Sequence, residues 1–98
     1  MNCYDKIRDL LINNINIYGV VLSLNSFNEI LLNGVNSFDP VIDINKLKTG
    51  LYGYMFGCRI FCFCECKDDE LIIIDSFEDL LVKCPEIYNK MIIRDIIE

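Results

Sequence analysis

The stretch Arg59-Ile60-Phe61-Cys62-Phe63-Cys64-Glu65-Cys66-Lys67-Asp68-Asp69-Glu70-Leu71-Ile72-Ile73-Ile74-Asp75 decides the fold. Arg59 to Cys66 is rich in strand formers, Lys67 to Glu70 is a polar turn, and Leu71 to Asp75 has strand composition again. Two such runs around a short polar break predict a β-hairpin. On its first strand Cys62, Cys64 and Cys66 share one face, while Phe61, Phe63 and Glu65 share the other. Both faces are largely apolar, so this strand is expected inside the sheet, covered on both sides.

Working outward, Val20-Val21-Leu22-Ser23-Leu24 is a short apolar run of the kind found at a sheet centre. Before it, Asn2 to about Ile17 reads as a helix: Asn2 caps it, and Ile7, Leu11 and Ile15 recur every four residues beside Tyr4 and Leu10. After it, Ser26 and Glu29 form a capping-box pattern that predicts a helix over Phe27–Asn33, closed by Gly34. Ile42-Asp43-Ile44 reads as a short edge strand or part of an irregular loop. Leu51 to Gly57 mixes aromatics with glycines and reads as a loop or bent strand. Beyond the hairpin, Ser76 with Asp79 predicts a helix through Lys83. Pro85 then opens a last helix to about Ile97, with Tyr88, Met91 and Ile92 inward. The expected fold is α+β, or α/β, in a single small domain spanning residues 1–98. It holds a three- to four-stranded sheet with one β-hairpin, covered by about four helices.

Composition narrows the chemistry. The 98-residue chain is 53% hydrophobic and carries a net charge of −6, so it is globular and unsuited to binding nucleic acid through a basic surface. It contains no histidine, the usual general base and commonest zinc ligand. Sixteen isoleucines and ten asparagines point to AT-rich coding of the kind found in phages, other viruses and low-GC bacteria. The start Met1-Asn2-Cys3-Tyr4-Asp5-Lys6 has no apolar signal core, and Leu51–Cys64, interrupted by Arg59, is too short to span a bilayer. The expected location is the host-cell cytoplasm, with virion association as the alternative.

The cysteines are Cys3, Cys58, Cys62, Cys64, Cys66 and Cys84. The i, i+2, i+4 spacing of the central three does not converge sulfur atoms on one metal, and no C-x-x-C pair is present. They are read as structural, reduced thiols, and no metal or cofactor is expected. Phosphate-loop, dinucleotide and calcium-loop patterns are missing, and no base is placed beside a nucleophile. A non-enzymatic protein is expected.

The sharpest electrostatic feature lies between Glu65 and Asp79, where seven carboxylates face one lysine, Lys67. A hairpin turn and a helix start would then present a negative patch able to steer a basic partner. The candidate partner-binding residues are Asp68, Asp69, Glu70, Glu78 and Asp79. The competing reading is a solvated turn, with Asp75, Glu78 and Asp79 complementing a helix dipole.

Val20-Val21-Leu22-Ser23-Leu24-Asn25 followed by Phe27-Asn28-Glu29-Ile30-Leu31 resembles the strand, asparagine and short helix in the axial domain of tailed-phage major capsid proteins. Gly53-Tyr54-Met55-Phe56-Gly57-Cys58-Arg59-Ile60 resembles the aromatic-glycine turn of that family, and Glu70 to Ile74 the strand after it. The similarity spans residues 4 to 75. Counterparts of the spine helix, the extended arm and the peripheral hairpin are missing, so the resemblance implies an axial-like core without shell assembly. The expected function is that of a small phage or prophage protein acting through protein–protein contacts. The alternative is an inhibitor of a host defence enzyme, anti-CRISPR-like, binding through an acidic surface. Either way the partner is a protein rather than nucleic acid or membrane, with a homo-oligomer as a further option.

Overall fold

Cys58–Cys62 forms β4, and it is an interior strand as its apolar faces require. The computed structural model describes residues 3–13, 16–68 and 70–96. Its elements are α1 (Cys3–Asn13), β1 (Gly19–Leu22), α2 (Leu24–Gly34), β2 (Phe38–Pro40), α3 (Ile44–Leu47), β3 (Leu51–Met55), β4, β5 (Ile72–Ile74), α4 (Phe77–Lys83) and α5 (Pro85–Ile93), with a 3-10 turn at Val35–Ser37. The fold is a single α+β domain around a five-stranded mixed sheet of order β2-β3-β4-β1-β5. No helix among the described residues is long and apolar enough to cross a membrane.

The expected hairpin over Arg59–Asp75 is not formed. β1 lies between its two strands: it runs parallel to β4, pairing Val20 with Ile60, and antiparallel to β5, pairing Val20 with Ile73. Residues 63–71 are therefore a crossover above β1. The hairpin joins β3 to β4 instead, where Met55 pairs with Cys58 around Phe56-Gly57. Both turn residues have positive φ, 53° and 79°, the backbone signature of a tight type I′ turn. With β2 and β5 as edges, the sheet has more strands than the three or four expected. β4 also stops at Cys62, so Cys64 and Cys66 are not strand neighbours of it: Cys64 is exposed and Cys66 buried.

Alternation along the strands builds two cores. Val20, Leu22, Met55, Cys58 and Ile60 meet Ile7 of α1 and Phe27 and Ile30 of α2 on one face. Val21, Leu51, Phe61 and Ile74 meet Leu80 of α4 and Ile87 and Met91 of α5 on the other. β3 reaches both faces through a bulge between Leu51 and Gly53, where the register to β4 shifts by one residue.

Helix ends follow local chemistry. α1 is described as far as Asn13, whose side-chain amide donates to the Asp9 carbonyl at 2.9 Å, and Asn16 and Ile17 are not helical. The expected cap Asn2 and the apolar position Ile15 lie outside the described residues. α2 begins a turn earlier than its capping-box pattern suggests, because Ser23 Oγ accepts the Ser26 N–H at 3.1 Å. The segment Ile42-Asp43-Ile44 is no strand: Asp43 caps the single turn of α3, accepting the Asn45 N–H at 2.9 Å. Ser76 caps α4 as expected, accepting the Asp79 N–H at 3.2 Å, and Pro85 opens α5. Tyr88 and Met91 face inward, whereas Ile92 is 45% exposed rather than inward.

Candidate functional site

The crossover from β4 to β5 carries the first group of acidic candidates. It leaves the sheet with Phe63 N–H donating to the Leu22 carbonyl at 3.0 Å. Two tight turns follow, with Cys66 N–H on the Phe63 carbonyl and Glu70 N–H on the Lys67 carbonyl, each at 3.0 Å. Cys66 is the peg: its thiol is buried, 3.8 Å from the Val21 carbonyl oxygen and 3.5 Å from Glu70 Oε1. The start of α2 fastens the middle. Ser26 Oγ donates to the Asp68 carbonyl oxygen, and Asn25 Nδ2 donates to Asp68 Oδ2 at 3.1 Å. Glu65, Asp68 and Glu70 are thus exposed side chains on a backbone tied at both ends and in the middle. Asp69 lies outside the described residues.

Glu78 and Asp79 sit elsewhere. β5 runs antiparallel to β1, so the crossover meets one end of β5 and α4 begins beyond the other. Three strand residues separate the two groups by roughly 10 Å along the sheet. Glu78 is exposed in the first turn of α4, where its charge complements the helix dipole. Asp79 is already engaged. Its carboxylate accepts the Asp75 N–H at 3.0 Å and pairs with Lys83 Nζ at 3.0 Å. The hydrogen bond from the Asp75 backbone, followed by that from Lys83, holds the Asp79 carboxyl below its usual value. The four described candidates therefore do not form one patch. Asp68 and Glu70 share the crossover, Glu78 and Asp79 share the start of α4, and Asp79 serves the fold.

Among the described residues, Cys58, Cys62, Cys64, Cys66 and Cys84 are thiols without a disulfide. Burial pushes the Cys58 thiol up to about 11, against the lowering influence of Arg59. Burial, then the neighbouring Cys66, pushes Cys62 up to about 12. Burial raises Cys84 as well. Thiols held in this range stay protonated and are poor nucleophiles at neutral pH. No three metal-ligating side chains converge among the described residues.

The sequence offers the apolar aromatic stretch Tyr52 to Phe56 as a second interface candidate, and the structure sets its last residue against α1. Phe56 is half exposed at the hairpin tip, in ring contact with Tyr4 of α1 at 6.2 Å between centroids. With Arg8, Leu11 and Ile12 it lines an apolar groove of about 440 Å³. The signal lay in Phe56-Gly57, since a glycine beside a bulky residue can mark the second position of a tight turn.

Comparison with protein-family models, with curated proteins and with solved structures finds no match.

Proposed function

We propose that this chain is a small, non-enzymatic phage-type protein that acts by contact with a basic protein surface through the crossover bearing Glu65, Asp68 and Glu70. The observation that carries this reading is the fastening of the crossover by Asn25, Ser26 and Cys66. Carboxylates on a tethered backbone meet a partner with less ordering cost than carboxylates on a loose loop. Their charge also speeds encounter with a basic surface. Glu78 adds to the negative field from the far end of β5, while Asp79, neutralised by Lys83, adds little.

The same geometry favours the inhibitor reading within this class. A defence enzyme that grips nucleic acid offers a basic groove, and a fixed row of carboxylates is suited to occupying it. The resemblance to the capsid axial domain supports the phage assignment through residues 4 to 75, but it supplies no partner.

The test is copurification of a tagged chain from its native host, in parallel with an Asp68→Lys/Glu70→Lys variant. The expected partner has a basic surface, is retained by the wild type and is lost by the variant. Its association rate should fall steeply with added salt. A partner retained equally by both chains, with no salt dependence, overturns the reading.

A further inference from the structure

β5 is an edge strand, and its outward backbone groups are not open to solvent in the usual way. The Ile74 carbonyl accepts from Tyr18 N–H and so faces β1. Alternation turns the N–H and C=O of Ile73 and Asp75 away from the sheet. Lys83 Nζ donates to the Ile73 carbonyl oxygen at 2.8 Å, and the Asp79 carboxylate accepts the Asp75 N–H at 3.0 Å. The two side chains also pair with each other at 3.0 Å, one turn apart on α4. Together they present to β5 a donor and an acceptor at the places where a further antiparallel strand would put its own.

We infer that the β5 edge is a latent self-pairing surface for a second copy of this chain, held shut by the Asp79–Lys83 pair. A second copy is the occupant because the edge complements itself. Antiparallel pairing about Ile73 sets its N–H and C=O against those of Ile73 in the other copy, the reciprocal exchange of a hydrogen-bonded pair. The same register sets Asp75 N–H against the Leu71 carbonyl of the other copy. Ile72-Ile73-Ile74 carries no charge and no proline to oppose the approach. The opposite edge differs, since β2 includes Pro40 and Asp39. In the guarded state Lys83 stands in for the Ile73 N–H of a second copy, and Asp79 for its Leu71 carbonyl.

The test compares wild type with Asp79→Ala/Lys83→Met, using light scattering for mass and amide exchange for the site. The Ser76 cap uses the Asp79 backbone N–H and survives both substitutions. Wild type should be monomeric; the double variant should approach twice the monomer mass, with the Ile73 amide exchanging at least about tenfold more slowly than in wild type. Should the double variant fail to fold, Lys83→Met alone carries the same comparison, because it opens the Ile73 carbonyl and leaves the Asp79 bond in place. A variant that folds yet stays monomeric overturns the inference. So does a dimer in which Ile73 exchange is unchanged, or a wild type already paired through β5.

Discussion

Gly53 lies under the ring of Phe38. A Cβ at Gly53 would overlap that ring and come within 2.5 Å of the Asp39 carbonyl oxygen. The close approach arises because β2 pairs with β3 at this point, Pro40 opposite Gly53, while the bulge turns Tyr52 out beside it. Phe27 then packs edge-on against both Phe38 and Tyr52, with ring centroids 5.2 Å apart in each case. Gly53→Ala must move the Phe38 ring and β2 together. The expected loss is about 1–3 kcal/mol, as for other overpacked sites, measured by urea denaturation. An unchanged midpoint would show that β2 is not held against β3 in solution.

Phe56 occupies the first turn position of the β3–β4 hairpin at φ 53°. A bulky side chain there costs about 1 kcal/mol relative to asparagine, the residue this turn prefers. Its contact with Tyr4 offsets part of that, but the ring is half exposed. Phe56→Asn should therefore raise stability modestly, by under about 1 kcal/mol. A fall in thermal midpoint would mean that the packing of Phe56 on α1 outweighs its backbone cost.

The cysteines give a pH prediction with a definite sign. Cys58 and Cys62 stay protonated in the fold up to about 11 and about 12, against the usual 9.0. The unfolded chain ionises first, so above pH 9 it binds fewer protons than the native state. The stability from these two thiols is complete below about pH 9 and is lost as pH rises through the folded values. Cys58→Ala/Cys62→Ala should flatten that alkaline decline in a melting series. Among the described cysteines, exposed Cys64 should be alkylated first at neutral pH, with Cys58, Cys66 and Cys84 reacting only on unfolding. Rapid alkylation of Cys58 in the native protein would contradict its burial.

Ser26 ties the acidic crossover to α2 through the Asp68 carbonyl. Ser26→Ala removes that tie while Ser23 continues to cap the helix, since Ser23 accepts from the Ser26 backbone. The expected stability cost is about 1 kcal/mol, with faster amide exchange confined to residues 67–71. Unchanged exchange there would place the fastening of the crossover on Cys66 and Asn25 instead.

Much of the local structure was legible in the residues. Ser76 and Pro85 mark the starts of α4 and α5, because caps and N-terminal prolines act within one turn of chain. Val20, Val21 and Leu22 identify a strand buried on both faces, and Ile60-Phe61 an interior one. Less of the candidate site was legible. The carboxylates of residues 65–79 are adjacent in sequence, but β5 lies between its two groups, and the role of Asp79 depends on a strand edge that only pairing creates.

What the sequence by itself determined is the type of the strongly patterned segments, α1, β1, α2, β4, β5, α4 and α5, since periodicity and capping depend on near neighbours, whereas β2 and α3 were not foreseen. What only the tertiary structure decided is which strands meet. Lys67 to Glu70 does close a turn, with Glu70 N–H on the Lys67 carbonyl, but it is one of two turns in a connection, residues 63–71, long enough to pass over one strand to the next. β1, with Val20 and Leu22 on one face and Val21 on the other, buries both faces fully by entering between β4 and β5. A direct β4–β5 hairpin would leave that apolar strand at an edge. The burial of β1, a property of the whole chain, overrides the hairpin that the local pattern of residues 59–75 suggests.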